Sequence, residues 1–140
     1  MIKDEILQAF DSEFGFIKEK FEIMDLLSNN IPMEDYPIRN LALPSENFNI
    51  VWYPGVYMFI GNNLLYRVGV SMRNSRARVL EHLNVGTSKG GHSILDIDKF
   101  DDKSILLINV KDKKDRHWLL SIELFFEERF NPLIKAGRKG

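Results

Sequence analysis

Gly55-Val56-Tyr57-Met58-Phe59-Ile60-Gly61-Asn62-Asn63-Leu64-Leu65-Tyr66-Arg67-Val68-Gly69-Val70 is an apolar run, a turn and a second apolar run. Both runs read as strands, the first mostly buried, and Gly61, Asn62 and Asn63 tolerate the positive φ of a tight turn. The stretch therefore predicts an antiparallel hairpin. Arg67 falls inside the second run. Strand side chains alternate in facing, so Arg67 is expected to point opposite to Tyr66 and Val68 and to come near Tyr57 on the neighbouring strand. A cation beside a phenol favours the phenolate and lowers a pKa that starts near 10. The plain alternative is a strand residue facing solvent.

Outward from the hairpin toward the C-terminus, Asn74 or Ser75 can cap a helix running to about Asn84, with Val79, Leu80 and Leu83 on its inner face. Residues 84–103 are rich in Gly, Ser, Asp and Lys and read as a loop with a short helix near Ile94 to Lys99. Ser104 to Val110 is a continuous apolar run, hence a strand buried on both faces and central in its sheet. Lys111 to Lys114 form a charged turn, Asp115 is a candidate cap, and His117 to Phe130 form a last helix that Pro132 ends.

Toward the N-terminus, Ile2, Ile6, Phe10, Phe14, Ile17, Phe21 and Met24 recur every three or four residues. That spacing predicts one apolar stripe on a helix of about six or seven turns, with Gly15 a possible break into two. Ser28 to Pro32 stop it, and a connector with Pro37 and Pro44 follows. The predicted fold class is α+β: a small three-stranded antiparallel sheet flanked by helices. Residues 1–50 would be a helical extension and connector, and residues 51–140 the principal domain.

The 140 residues are 44% hydrophobic and 28% charged, which suits one globular domain and excludes disordered and fibrous classes. Cysteine is absent, so disulfides, thiolate metal sites and a cysteine nucleophile are excluded. The longest uncharged stretch, Asn47 to Tyr66, is broken by Pro54, Gly55, Gly61, Asn62 and Asn63 and cannot be a bilayer helix. The first residues, Met1-Ile2-Lys3-Asp4-Glu5, lack the layout of a secretion signal. The expectation is a soluble, cytoplasmic protein with no membrane partner. Net charge is −1, but it is unevenly spread: residues 1–50 carry four Lys/Arg against ten Asp/Glu, residues 51–140 fifteen against ten. A basic half-chain is compatible with a polyanionic ligand. An acidic helix packed beside a basic domain would give the same numbers.

Two further features suggest chemistry. Arg76 and Arg78 occupy the first turn of their helix, where cations oppose the dipole unless a phosphate is bound. Arg78 and His82, four apart, share a face that is expected to lie opposite the apolar positions. Glu123 projects to the edge of the apolar arc of the last helix, where a half-desolvated carboxylate needs a partner such as a divalent metal. A solvated basic face and an ordinary salt-bridge glutamate are the plain alternatives. Trp52, Tyr53 and Trp118 read as packing residues, His92 and His117 as structural ones.

Taken in order, Gly55-Val56-Tyr57, Arg67-Val68-Gly69, Arg78 with His82, and Glu123 nine residues before Pro132 resemble the motif series of the GIY-YIG nuclease superfamily. The resemblance covers about residues 53–136. It is nearest to the branch in which a basic residue replaces the second-motif tyrosine; Tyr66 is the alternative claimant if the register slips by one. Lys135 stands where many members carry an asparagine.

The resemblance implies hydrolysis of DNA phosphodiester bonds with one divalent cation, Mg²⁺ or Mn²⁺. Tyr57, primed by Arg67, would take the proton of the attacking water. Arg78 would neutralise the transition state, His82 would bind the phosphate or relay a proton, and Glu123 would hold the metal. Arg73, Arg76, Lys111, Lys113, Lys114, Lys135, Arg138 and Lys139 would track the DNA backbone. Two other readings stay open. One is a catalytically silent relative that binds nucleic acid or a protein. The other is a module whose N-terminal helix docks on a partner protein or a second copy.

Overall fold

The computed structural model describes residues 1–27 and 49–135. The expected helix stop at residues 28–32, the connector prolines Pro37 and Pro44, and Arg138 and Lys139 lie outside the described residues. The chain runs α1 (Ile2–Phe14), β1 (Phe21–Asp25), β2 (Gly55–Gly61), β3 (Leu64–Ser71), α2 (Ser75–Val85), β4 (Ser88–Lys89), β5 (His92–Ser93), β6 (Ser104–Val110) and α3 (Trp118–Phe130), with 3-10 turns between. The fold class is α+β.

The main sheet has four antiparallel strands in the order β1-β6-β2-β3, one more than the three expected, and β4 and β5 form a separate two-residue ladder. The additional strand comes from the segment that sequence spacing assigned to the N-terminal helix. That helix ends at Phe14, a 3-10 turn covers Gly15–Lys20, and Phe21–Asp25 pairs with β6. Phe21 and Met24 are three apart, which suits a helical stripe, yet in a strand covered on both faces the same spacing sends them to opposite sides, Phe21 into the core under α1 and α3 and Met24 into the other.

The sheet is covered on both faces. Ile6, Phe10 and Phe14 of α1 and Leu119, Ile122 and Phe126 of α3 pack with Val56, Met58, Val68, Leu106 and Ile108. Each fully buried side chain of this size contributes roughly 1.5–3 kcal/mol. Val79 and Leu83 of α2, with Ile94 and Ile97, cover the other face, where Tyr57, Phe59, Tyr66, Ile105 and Leu107 project. The central strand β6 is buried along its whole length, as its unbroken apolar run requires.

The hairpin closes as the sequence predicts. Gly61 pairs with Leu64, and Asn62 (φ 52°) and Asn63 (φ 55°) both take the left-handed conformation of a two-residue turn. Both turn amides donate to the carboxylate of Asp102 (2.8 and 2.6 Å). The ladder is not regular, however. Phe59 faces Arg67 and Ile60 faces Leu65, so Tyr66 is an extra, bulged residue. The bulge cancels the expected alternation: Tyr66 and Arg67 project on the same sheet face, that of Tyr57, rather than on opposite ones. The free edge of β3 is closed by residues after α3, Leu133 N–H donating to the Leu65 carbonyl and Ile134 N–H to that of Tyr66.

One buried polar cluster fixes where α2 begins. Asn109 on β6 has no solvent exposure; its Nδ2 donates to the Ile50 carbonyl (2.8 Å) and its Oδ1 accepts from Ser75 Oγ (2.6 Å). A Cβ at Gly55 would collide with Asn109 Oδ1, so only glycine leaves room for this side chain. Asn74 caps the helix, accepting from Ala77 N–H (3.0 Å). Asn109→Ala strands the Ser75 hydroxyl and the Ile50 carbonyl, and it is expected to lower unfolding free energy by about 2–3 kcal/mol in a urea titration.

Candidate active site

Three elements bring four of the sequence-selected side chains together. Tyr57 comes from β2, Arg67 from β3, and Arg78 and His82 from successive turns of α2. His82 Nε2 lies 2.8 Å from Tyr57 Oη, and His82 Nδ1 lies 2.6 Å from Thr87 Oγ1. Arg67 and Arg78 flank the phenol closely enough to act on it as charges and as hydrogen-bond donors. Tyr57 and His82 are 2% and 5% exposed, whereas Arg78 reaches solvent and pairs with Glu81 (2.6 Å). The phenol thus lies at the floor of the site and the guanidiniums at its rim.

The floor exists because Gly69 has no side chain. Gly69 is the cross-strand partner of Tyr57, and a Cβ there would overlap the Tyr57 hydroxyl and ring. The ring also meets Phe59 (6.0 Å between centroids) and His82 (5.3 Å) edgewise or tilted. His82 is therefore not on a solvated helix face opposite the apolar positions, as expected, but is buried against two aromatic rings.

Burial decides the protonation states. It raises the Tyr57 pKa above the ordinary 10, and the opposing pull of Arg67 and Arg78 does not outweigh it. The expectation that Arg67 leaves a lowered phenol pKa is corrected: near pH 7 Tyr57 is a neutral phenol. Burial, then the charges of Arg67 and Arg78, lowers His82 from 6.5 to about 4, so its imidazole is neutral too. Arg67 Nε, on β3, is buried without a hydrogen-bond partner, an unmet donor.

Glu123 is on α3 and is buried to 7% exposure, more deeply than the rim position expected. Its neighbours Leu119, Ile122 and Phe126 pack on the sheet face opposite to that of Tyr57, with α3 lying along β3. Hydrogen bonds and charges link Tyr57, Arg67, Arg78 and His82 to one another. Among the described residues no group of three or more His, Asp or Glu could hold a metal ion.

The expected nucleic-acid contacts divide. Arg73, Lys111, Lys113, Lys114 and Lys135 are exposed. Arg76 is 1% exposed, its guanidinium stacked 4.5 Å from the Trp52 ring centre, and so is not part of a solvent-facing basic surface. Trp52 shields it from outside, and burial lowers its pKa. Lys113 and Lys114, with Met72, Arg116, His117 and Leu120, line an open surface groove. Arg116 was not singled out from sequence and His117 was read as structural, since a charged turn gives no sign of which residues share a groove. Thr87 and Gly69 were also passed over as functional residues; a regular hairpin closed by Asn62 and Asn63 puts Val68 opposite Tyr57, and only the bulge at Tyr66 brings Gly69 there.

Comparison with protein-family models, curated proteins and solved structures finds no match to this chain. Among the described residues no helix is long and apolar enough to cross a membrane.

Proposed function

We propose that this protein is a metal-dependent endonuclease that hydrolyses DNA phosphodiester bonds with a site of the GIY-YIG kind. The convergence of Tyr57, Arg67, Arg78 and His82 from three separate elements carries the reading. Two guanidiniums, one with an unmet Nε donor, suit the oxygens of a phosphodiester, and exposed Arg73, Lys111, Lys113, Lys114 and Lys135 would bind its neighbours.

Because Tyr57 carries its own proton, it cannot act as a phenolate at rest. The attacking water gives a proton to Tyr57 Oη as Tyr57 passes its own to His82 Nε2, and the water oxygen displaces the ester oxygen at phosphorus. Arg67 and Arg78 stabilise the charge that builds on the non-bridging oxygens. That phosphate also offsets the two cations that disfavour an imidazolium at His82. Glu123 is the carboxylate that would hold Mg²⁺ or Mn²⁺, and since its α3 neighbours pack on the sheet face opposite to that of Tyr57, the remaining ligands would have to be phosphate oxygens and water. When bound, the cation would supply Lewis-acid stabilisation of negative charge on the phosphodiester.

One observation favours a second reading, a catalytically silent module that binds nucleic acid or a protein: Glu123 shares the α3 face that packs away from Tyr57. Supercoiled plasmid separates the two. With Mg²⁺ or Mn²⁺ the protein is expected to convert it to nicked and linear forms, and EDTA is expected to stop the conversion. DNA retarded in a gel yet uncut with either metal would leave the silent module.

A further inference from the structure

We infer that Thr87 is a positioning residue that holds the His82 ring protonated on Nδ1, leaving Nε2 free to accept the Tyr57 proton. The catalytic consequence rests on the proposed function; the state of the ring does not.

Donor and acceptor counting leads to this assignment. A neutral imidazole has one N–H, and the two His82 nitrogens face two hydroxyls, Tyr57 Oη at 2.8 Å and Thr87 Oγ1 at 2.6 Å. If the proton were on Nε2, it would point at Tyr57 Oη, and the Tyr57 hydroxyl hydrogen would need another acceptor. The charged groups beside that hydroxyl are Arg67 and Arg78, and a guanidinium accepts nothing. The Tyr57 hydrogen therefore goes to Nε2, and the ring hydrogen sits on Nδ1, donated to Thr87 Oγ1.

Thr87 is well placed to enforce this. It follows directly on Gly86, which ends α2 in the left-handed conformation (φ 62°). Its N–H donates to the His82 carbonyl (3.2 Å), and its own carbonyl accepts from Ile94 N–H (3.0 Å). The hydroxyl is thus fixed relative to the backbone of the residue it orients. Glu81, which also acts on His82, pairs with Arg78 and faces outward. A second-layer hydroxyl that sets an imidazole tautomer is a familiar device in proton-transferring sites.

The test is ¹⁵N NMR of the histidine rings near pH 7, the His82 signal being assigned by its loss in His82→Gln. The parent is expected to show His82 protonated on Nδ1. Thr87→Val, close in shape but unable to accept, is expected to mix the two ring forms and to slow plasmid nicking about 100-fold. Thr87→Ser is expected to restore both. A parent ring protonated on Nε2 would overturn the inference, as would a Thr87→Val protein with an unchanged ring form. If the parent shows the Nδ1 form and Thr87→Val disturbs it while neither cuts DNA, the role of Thr87 stands and the endonuclease reading fails. Should Thr87→Val not fold, the parent and Thr87→Ser spectra still decide the ring form.

Discussion

Tyr57→Phe is expected to nick plasmid about 10²–10⁴-fold more slowly than the parent, the range that a positioned proton-transfer group contributes. The substitution keeps the ring and its contacts with Phe59 and His82 and removes only the hydroxyl. His82 Nε2 then loses its partner, at a cost of about 1 kcal/mol, so the variant remains folded. Gly69→Ala attacks the same hydroxyl from outside. Gly69 is not among the positive-φ glycines, so alanine meets no backbone penalty there, and the nearest atoms its Cβ would meet all belong to the Tyr57 side chain. The ring must swing away from His82, and activity is expected to fall into the same range. Gly55→Ala is the contrasting case. Its Cβ meets Asn109 and the Ile108 backbone carbonyl, which cannot move aside, so it is expected to lower stability by about 1–3 kcal/mol. Rates measured under single-turnover conditions, beside urea titrations of each variant, keep the two effects apart. Tyr57→Phe cutting within tenfold of the parent would remove the phenol from the chemistry.

These substitutions also mark what a sequence can and cannot disclose here. The hairpin was legible because Asn62 and Asn63 announce a conformation that few other residues adopt, and β6 because seven buried residues in a row leave no solvent face. The start of α2 was legible through its asparagine cap. Strand β1 was not, because its existence depends on pairing with β6, more than eighty residues later, while its local spacing suits a helix equally well. The bulge at Tyr66 was hidden for a related reason: period-two reasoning assumes an unbroken ladder.

In the site, Arg67 inside an apolar strand and Arg78 in the first turn of its helix stood out from sequence as departures from what those elements otherwise carry, and Tyr57 and His82 entered as their expected neighbours. Their electrostatics were not legible. A neighbouring cation can be read from sequence, but the desolvation that outweighs it depends on α2 covering the sheet. Arg76 makes the same point. Its charge suggested a surface contact, and only the placement of Trp52 reveals that it is covered.

Burial of His82 has a consequence for stability that can be measured without any substrate. In the unfolded chain its imidazole takes a proton near pH 6.5; in the folded protein it does so only near 4. Between those values the unfolded state holds more protons, so acidification favours unfolding. The stability tied to neutral His82 is fully present above about pH 6.5, is lost as pH falls toward 4, and changes no further below it. The expected loss is about 2 kcal/mol by pH 5. Carboxylates titrate in the same window, so the informative quantity is the difference between the parent and His82→Gln, which has no proton to take up. That difference is expected to shrink steadily from pH 7 to pH 5 in urea or thermal unfolding. A constant difference would mean that His82 titrates in the folded protein as it does in the unfolded chain. The low value argued for its imidazole, and with it the need for a phosphate to offset Arg67 and Arg78 before His82 can accept a proton, would then be wrong.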